Sequence, residues 1–293
     1  MKIHVVGVGK MGLPMALHLQ AAAPAPAVTV TDPSAERLQL ARAQGLAVAT
    51  NGTAALAAAD VVLSSLPHDA ALREVAAQVA ASARPGAVYI DTSTVSPQVS
   101  AEVAQLLAAR GIDYLRCTVS GNNKMAEAAQ LTVMASGPRA AFDRVLPLLQ
   151  RLGPQQFYLG DAEQARLMKL VVNLMIAQTS AMLAEALTLG RKGGLDWGDM
   201  WQVLNASAVA SPIVKAKSAQ LTARDFTPTF TVLQMQKDLG LILGAGAASG
   251  VPLPQTAMTM QLMHAAVAQG DALDDYAAII KAVERSAGLQ TAL

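Results

Sequence analysis

The chain has little that would support a disulfide framework, a metal centre or a polyanion-binding surface. Among 293 residues there is one cysteine, Cys117, which excludes an intrachain disulfide. The sequence also predicts no metal site, because it has no cysteine cluster, no HxxxH pair and only four scattered histidines, His4, His18, His68 and His264. Charged residues are 15% and the formal net charge is +1, which favours a small-molecule partner over nucleic acid or an anionic membrane.

Targeting and membrane-spanning signals are also weak. The N-terminus, MKIHVVGVG, enters a strand pattern at once, with no charged region followed by a signal-peptide core, so the expected compartment is the cytoplasm. The apolar stretch 167–189 approaches the length of a membrane span, but Lys169, Asn173, Gln178 and Glu185 interrupt it. We therefore expect a buried core helix and no membrane partner.

Hydrophobic residues are abundant, at 53%, and their pattern changes along the chain. The first half alternates short β-branched runs with alanine-rich helical stretches, which indicates βαβ units and a parallel sheet. After residue 160 the strand signals thin out and long helical patterns follow. The sequence predicts an α/β domain over 1–162 and an all-helical domain over 163–293, whose first helix runs for about thirty residues, well beyond the usual mean.

A glycine-rich turn follows the first predicted strand and has the form GxGxxG. In a dinucleotide-binding turn the first glycine allows the tight turn, the second lets the pyrophosphate approach, and the third lets the helix pack closely. The helix N-terminus adds N–H groups and partial positive charge. The alternative is an ordinary tight turn. The predicted cofactor contacts here are Gly7, Val8, Gly9, Lys10, Met11 and Gly12.

Three further strand ends extend the predicted cofactor site. The second strand, AVTVTD, ends at Asp32, whose carboxylate can accept hydrogen bonds from both adenosine ribose hydroxyls. Because no arginine adjoins Asp32 to receive a 2′-phosphate, NAD is favoured over NADP. The alternative for Asp32 is that it only forms the turn before Pro33. The other two strand ends could simply cap the helices that follow them. The residues predicted to contact the cofactor at these two strand ends are Leu66, Pro67 and Thr94.

The apolar segment ARLMKLVVNLMIAQ carries Lys169 and, four residues later, Asn173. A four-residue step returns to almost the same helix face, so the two side chains are expected to point the same way. Loss of hydration can lower a lysine pKa by up to about 3 to 5 units, which would let Lys169 exchange a proton near neutrality. A lysine that reaches solvent along the helix flank is equally compatible with the spacing.

Four motifs occur in a fixed order, VGVGKMGLPMALHL, TVSGN, KLVVN and QKDLGLIL. Together they resemble the β-hydroxyacid dehydrogenase family, over nearly the whole chain. The resemblance implies a doubly wound Rossmann domain, a helical domain entered through one long interdomain helix, and a homodimer or homotetramer. It also implies reversible hydride transfer between a small 3-hydroxy acid, of the 3-hydroxyisobutyrate type, and NAD.

The same resemblance assigns individual roles. It makes Lys169 the general acid and base, and Asn173 a substrate-positioning residue. It places Lys237 beside the nicotinamide end of the cofactor, and Thr94 in contact with the cofactor. The substrate carboxylate is expected to bind at a loop that includes Ser120, Gly121 and Asn122.

That loop departs from the family pattern D-A-P-V-S-G-G, reading RCTVSGN over residues 116–122. The changes predict a pocket of different size or polarity. Arg116 itself could be a carboxylate clamp or a solvated surface charge, and Cys117 is expected to serve packing rather than nucleophilic attack.

Other functions remain open from the sequence. Reduction of a small aldehyde or keto acid, of the glyoxylate or succinic semialdehyde type, would use the same residues in the opposite direction. Imine reductases share the architecture but generally carry aspartate or tyrosine at the position of Lys169. A non-catalytic cofactor-binding protein is a third alternative, since fold does not fix function, but retention of Lys169, Asn173, Ser120 and Lys237 argues against it.

Overall fold

The computed structural model describes residues 1–21 and 25–290 of the chain, which form two compact units. The first unit is Met1–Lys169 and the second is Leu170–Leu293. The end of the second predicted domain, residues 291–293, lies outside the described residues.

Within the described residues, the first unit is built on one eight-stranded sheet with the order β3-β2-β1-β4-β5-β6-β7-β8. Neighbouring strands are parallel except for β6 and β7, which are antiparallel. The strands are β1 (Lys2–Val6), β2 (Ala27–Thr31), β3 (Ala47–Val48), β4 (Val61–Ser64), β5 (Val88–Asp91), β6 (Asp113–Ser120), β7 (Thr132–Ser136) and β8 (Gln155–Tyr158).

The central strands β4 and β5 are buried along their whole length, and successive residues enter different cores. Val88 and Ile90 belong to one apolar cluster and Tyr89 to another, because neighbouring side chains of a strand point to opposite faces. Both faces of the sheet are therefore covered, as parallel sheets require. The covering helices are α1 (Gly12–Gln20), α2 (Ala35–Ala43), α3 (Gly52–Ala58), α4 (Asp69–Ser82), α5 (Pro97–Ala108), α6 (Asn123–Glu127) and α7 (Arg139–Leu149).

This architecture confirms the predicted fold class, an α/β doubly wound domain followed by helices. The sequence patterns missed two edge strands, β3 and β8. Strand β3 has only two residues, and β8 alternates exposed and half-buried residues, so neither carries a strong apolar signal.

The second unit consists of helices, and the first of them, α8 (Gln164–Lys192), begins in the first unit. Its 29 residues confirm the long helix expected from the sequence. Leu170, Leu183, Trp201 and Leu239 lie in the apolar core of this unit. The remaining helices are α9 (Trp197–Ala206), α10 (Pro212–Thr222), α11 (Val232–Ser249), α12 (Pro254–Ala268) and α13 (Ile279–Ser286), with a short 3-10 helix at Tyr276–Ala278.

Helix α8 is long and apolar enough to cross a membrane when judged by length and composition alone. The core helix of a soluble protein passes the same test, and 44% of its most apolar window is buried within the molecule. One such helix is weak support for a membrane span.

His4, on β1, gives the fold a dependence on pH. Its ring hydrogen-bonds the hydroxyls of Thr29 (2.9 Å) and Thr31 (3.0 Å), and burial lowers its pKa from 6.5 to about 4. The unfolded chain therefore binds a proton below pH 6.5 that the folded chain does not bind until about pH 4. The stabilisation is complete above pH 6.5 and is lost as the pH falls towards 4, by on the order of 3 kcal/mol.

We expect the His4→Gln variant to lose about 2 kcal/mol less unfolding free energy than the parent between pH 7 and pH 4.5. Urea denaturation at the two pH values measures this difference. The matched control is His264→Gln, because His264 is exposed, and it should follow the parent. An unchanged pH dependence in His4→Gln would contradict the assignment.

Candidate cofactor and catalytic site

The glycine-rich turn between β1 and α1 is a close-packed backbone structure. Gly7 has a φ of +88°, and a Cβ added to it would lie 2.5 Å from the carbonyl oxygen of Ser65. A Cβ on Gly12 would lie 1.9 Å from the carbonyl oxygen of Gly7. The fold itself therefore requires glycine at the first and third positions of the motif.

Gly9, the middle glycine, is different, since a Cβ there would meet nothing within 4 Å. The space beside Gly9 is open, so no contact within the described protein explains why the residue is glycine. Helix α1 begins at Gly12 without a side-chain cap and without an acidic residue in its first turn. An open face at Gly9 beside an uncapped helix N-terminus fits the pyrophosphate of a dinucleotide.

Asp32 lies just after β2, beside this turn. Its Oδ2 accepts a hydrogen bond from the Val8 amide and its Oδ1 accepts one from the Ser34 amide, both at 2.8 Å. The side chain thus shapes the local turn, as the alternative interpretation held. Each carboxylate oxygen can accept a further hydrogen bond, so these contacts are compatible with ribose binding.

The strands β1, β2, β4 and β5 are parallel, so their carboxyl ends meet at one edge of the sheet. The Leu66 amide, after β4, donates to Ser93 Oγ, after β5, at 2.8 Å. Thr94 follows Ser93 and is half-buried, and Pro67 is exposed. The structure therefore brings the predicted cofactor residues of the first unit to this edge.

A buried polar network lies at the end of β5, and we call it the Arg166 cluster. At its centre, Arg166 Nη2 of helix α8 donates to Asp91 Oδ2 at 2.5 Å, and both side chains are fully buried. Asp91 Oδ1 accepts from Ser64 Oγ (2.5 Å) and Ser93 Oγ (2.6 Å). The cluster consists of Arg166, Asp91, Ser64, Ser93, Ser100 and Tyr114.

The guanidinium of Arg166 also reaches the rest of the cluster. Nη2 donates to the Tyr114 hydroxyl at 2.8 Å, Nη1 to the Ser93 carbonyl at 2.5 Å, and Nε to Ser100 Oγ at 3.2 Å. Burial lowers the pKa of Arg166, but Tyr114 and Asp91 outweigh that effect and raise it overall. Burial raises the pKa of Tyr114, so its hydroxyl stays protonated. The arginine is held as a charged, fully engaged group.

Further hydrogen bonds fix the first turn of α8 to the sheet. Thr118 Oγ1 donates to the Ala165 carbonyl at 2.9 Å. Ser136 Oγ donates to the Ala162 carbonyl at 2.7 Å and accepts from the Ala165 amide at 3.1 Å. Lys169 follows on the next turn and is half-buried. The predicted catalytic lysine therefore sits on a helix start that the sheet anchors.

The segment expected to bind the substrate carboxylate is largely strand. Residues 116–120 end β6, and Ser120 pairs with Thr132 of β7. Arg116 is buried, ion-paired with Glu163, and its guanidinium carbon lies 4.6 Å from the centre of the Tyr114 ring. Arg116 is thus not a solvated surface charge. It is also not positioned to bind a substrate carboxylate, because its guanidinium is already paired with the Glu163 carboxylate.

Beyond β6 the chain turns at Gly121, which has a φ of +136°. The Asn122 Oδ1 accepts from the Met125 amide at 3.0 Å and so caps α6. Cys117 is fully buried, and burial raises its pKa to about 12, which agrees with a packing role. Ser120, Gly121 and Asn122 are consecutive at one strand end.

In the second unit, Asn173 and Lys237 meet at a buried carboxylate. The Asn173 amide nitrogen donates to Asp238 Oδ2 at 2.6 Å. Lys237 Nζ lies 2.9 Å from Asp238 Oδ1, and Asp238 is 1% exposed. Asp238 therefore links the two residues that the resemblance singled out in this unit. Over the described residues, no group of three or more His, Cys, Asp or Glu side chains could hold a metal ion.

Comparisons with known proteins show the family to which the chain belongs. Residues 2–160 match the model of the NAD-binding domain of 6-phosphogluconate dehydrogenase. Residues 164–283 match the model described as NAD-binding of NADP-dependent 3-hydroxyisobutyrate dehydrogenase. A 2-(hydroxymethyl)glutarate dehydrogenase from Eubacterium barkeri is 35% identical over 98% of this chain and 96% of its own. The chain belongs to the β-hydroxyacid dehydrogenase family.

Two further relatives cover different shares of the chain. Glyoxylate/succinic semialdehyde reductase 1 from Arabidopsis thaliana is 31% identical over 69% of this chain and 70% of its own. A structure of Mycobacterium tuberculosis 3-hydroxyisobutyrate dehydrogenase with L-serine is 30% identical, covers 96% of this chain and 98% of its own, and has a TM-score of 0.88.

Membership of the β-hydroxyacid dehydrogenase family confirms the predicted class of enzyme, an NAD(P)-dependent hydroxyacid oxidoreductase. The roles of individual residues stay predictions. Sequence reasoning missed Arg166 and Asp91. Asp91 carries a signal that could have found it, because it is a charged residue at the end of the apolar segment AVYID, and a buried charge requires a partner. Arg166 carries no such signal, since Glu163, Gln164 and Lys169 lie close to it in the sequence.

Proposed function

We propose that this enzyme transfers hydride reversibly between NAD and a small 3-hydroxy acid, with Lys169 exchanging the hydroxyl proton. The observation that carries the proposal is the anchored first turn of α8. It places Lys169 in the same unit as the nucleotide-binding turn, one helical turn after a residue bonded to the end of β5. A general acid or base must be held in a defined position to act.

The substrate class that we propose is a 3-hydroxypropanoate with a substituent on carbon 2. 2-(Hydroxymethyl)glutarate and 3-hydroxyisobutyrate, from the names of two relatives, both carry a hydroxymethyl group beside a carboxylate. L-Serine, present in the structure of the second relative, has the same arrangement. These molecules differ only in the substituent on carbon 2.

For the substrate carboxylate we propose Ser120, Gly121 and the amide nitrogen of Asn122. The turn at Gly121 has no room for a side chain, because a Cβ would lie 2.7 Å from Leu131 Cδ2. Close approach to backbone N–H groups is how such turns bind anions. Arg116 is paired with Glu163 and so does not bind the substrate carboxylate. Hydrogen bonds from the N–H groups of this turn would bind it instead.

For the chemical step, Lys169 would accept the hydroxyl proton as the C–H carbon is oxidised and return it in the reverse direction. Such general acid and base catalysis contributes about 10²- to 10⁴-fold in rate. A nicotinamide cofactor held by the glycine-rich turn would supply the hydride chemistry, as acceptor or donor. Asn173 would position the substrate, and Lys237 would lie beside the nicotinamide. Both contact Asp238, which would limit their motion.

We propose NAD rather than NADP as the cofactor. Asp32 places a carboxylate where the adenosine ribose hydroxyls would bind, and Pro33 follows it. A 2′-phosphate there would face negative charge and lose the hydrogen bonds that a hydroxyl donates.

A panel assay tests the function most directly. Purified enzyme should reduce NAD with 2-substituted 3-hydroxypropanoates, observed as absorbance of the reduced nicotinamide. Its kcat/KM should be at least about tenfold higher with NAD than with NADP, equivalent to about 1.4 kcal/mol. Comparable values would contradict the NAD preference, and no turnover of any hydroxyacid would contradict the substrate class.

Reduction of a small aldehyde is a second candidate, since one relative is a glyoxylate/succinic semialdehyde reductase. Lys169 would then donate the proton. The same panel, run with semialdehydes and glyoxylate, compares the two directions.

We further propose that the enzyme is a homodimer or homotetramer in the cytoplasm. Helix α8 exposes large apolar side chains along most of its length, and after the first adjacent pair they are three, four or seven residues apart, which keeps them near one helix face. They are Leu167, Met168, Val171, Met175, Met182 and Leu189. A stripe of this kind is typical of a surface covered by another protein chain, and the long helix makes a second copy the natural partner. Sedimentation velocity should therefore give a particle larger than one chain.

A further inference from the structure

The first turn of helix α8 contains a fully buried arginine, Arg166, which lies three residues before Lys169. We propose that Arg166 is a positioning residue, which with Asp91 fixes Lys169 relative to the strand ends that carry the predicted cofactor contacts. The inference rests on the proposed function, because it takes Lys169 as the proton-exchanging group.

The contacts of Arg166 leave its guanidinium little freedom. Its three nitrogens donate to the Asp91 carboxylate, the Ser93 carbonyl, the Tyr114 hydroxyl and the Ser100 hydroxyl. These acceptors belong to β5, the segment after it, β6 and α5. A planar guanidinium bonded in several directions resists both sliding and rotation. The start of α8 is therefore tied to two strands, one helix and one connecting segment of the first unit.

Asp91 extends the same network to the predicted cofactor edge. Its Oδ1 accepts from Ser93 Oγ, and Ser93 Oγ in turn accepts from the Leu66 amide. Leu66 and Thr94, the neighbour of Ser93, are both predicted cofactor contacts. The Asp91 carboxylate thus bonds to the helix that carries Lys169 and, through Ser93, is linked to the segments that carry the predicted cofactor contacts.

Helix geometry transmits the position of Arg166 to Lys169. Three residues along an α-helix correspond to a rise of about 4.5 Å, and the intervening backbone is continuous. A shift of the first turn would therefore move Lys169 by a similar amount. Misplacement of a reacting group by about 1 Å can lower a rate about 10²-fold.

Stability alone is a poor explanation for the pair. Replacing a fully buried ion pair with apolar side chains of similar volume is often neutral or stabilising. The ion pair offers directional bonds that apolar packing lacks. Its location, between the end of β5 and the helical turn that precedes Lys169, suits positioning.

The decisive variants are Arg166→Gln and the double variant Arg166→Gln/Asp91→Asn. Removing one partner leaves the other charge buried, so the single variant should unfold at a lower temperature, while the double variant should recover part of that loss. Both should show kcat reduced about 10²-fold at a temperature well below the lowest unfolding midpoint. Recovery of stability without recovery of kcat separates positioning from a purely structural role.

Two measurements do not depend on turnover. The Kd for NADH, from nicotinamide fluorescence, should stay within about threefold in Arg166→Gln, because the glycine-rich turn is intact. Hydrogen exchange of the backbone amides of residues 164–170 in the cofactor-free protein should speed up.

The matched control is Arg224→Gln. Arg224 donates two hydrogen bonds to the fully buried Glu284 in the second unit, so this variant also leaves a buried carboxylate short of a partner. It should lose stability, keep kcat within about threefold, and leave the exchange of residues 164–170 unchanged.

The proposal is overturned if Arg166→Gln, or the double variant where the single one does not fold, keeps kcat within about threefold of the parent. It is also overturned if Arg224→Gln lowers kcat as much. A failure of the proposed function looks different, because Lys169→Ala would then retain activity whatever the Arg166 variants do.

Discussion

Replacing Lys169 with alanine is expected to lower kcat by about 10²- to 10⁴-fold, since proton exchange with the substrate hydroxyl would lose its side chain. Lys169 is half-buried on an anchored helix start, so the change should leave the fold intact. Steady-state kinetics with the best 3-hydroxy acid from the panel measure the loss. NADH fluorescence should show that the cofactor still binds.

Lys192→Ala is the matched control for this experiment. Lys192 ends the same helix and donates to the Ala287 carbonyl at 2.9 Å, far along the helix from Lys169. It should keep kcat within about twofold. If Lys169→Ala retained most of kcat while the cofactor bound normally, Lys169 would not be the proton-exchanging residue.

Alanine substitutions at the glycines of the nucleotide-binding turn should separate effects on protein stability from effects on cofactor binding. Gly12→Ala places a methyl group against the Gly7 carbonyl, so we expect it to lower the free energy of unfolding by about 1 to 3 kcal/mol. Gly9→Ala meets no protein atom, so its cofactor-free stability should match the parent. Both variants should bind NADH at least about tenfold more weakly.

Thermal unfolding of the cofactor-free variants and fluorescence titration with NADH provide the two readouts. Gly244→Ala is the control, because Gly244 also has no neighbour within 4 Å of an added Cβ and lies in α11 of the second unit. It should bind NADH as the parent does. Unimpaired binding by Gly9→Ala would mean that the open space beside Gly9 does not receive the cofactor.

The nucleotide-binding turn could be predicted because its information is contiguous. Gly7, Gly9 and Gly12 lie within six residues between a strand and a helix, so the motif can be read from one short stretch of sequence. The place of Asp32 at the end of the second strand could also be predicted from the sequence. Its two hydrogen bonds to Val8 and Ser34 depend on how the neighbouring turn folds, and the sequence left that open.

The Arg166 cluster could not be predicted in the same way. Asp91 and Arg166 are separated by 75 residues, and no spacing rule relates a strand end to a helix start at that distance. Arg116 illustrates the same difficulty. Its sequence context allowed a clamp or a surface charge, but the fold pairs it with Glu163, 47 residues later. Partners of buried charges are a property of tertiary structure.

The Arg166 cluster also bears on where the chain can be divided into modules. The two matching family models meet between residues 160 and 164, which suggests a natural cut. A fragment ending there would leave Asp91 buried without its cation and Ser136 without its two bonds to the chain at Ala162 and Ala165. The first unit therefore includes the beginning of α8, which lies beyond the boundary between the two family models. A chimera of two relatives joined between residues 160 and 164 would separate the beginning of α8 from the sheet to which it is hydrogen-bonded. The two would have to be exchanged together.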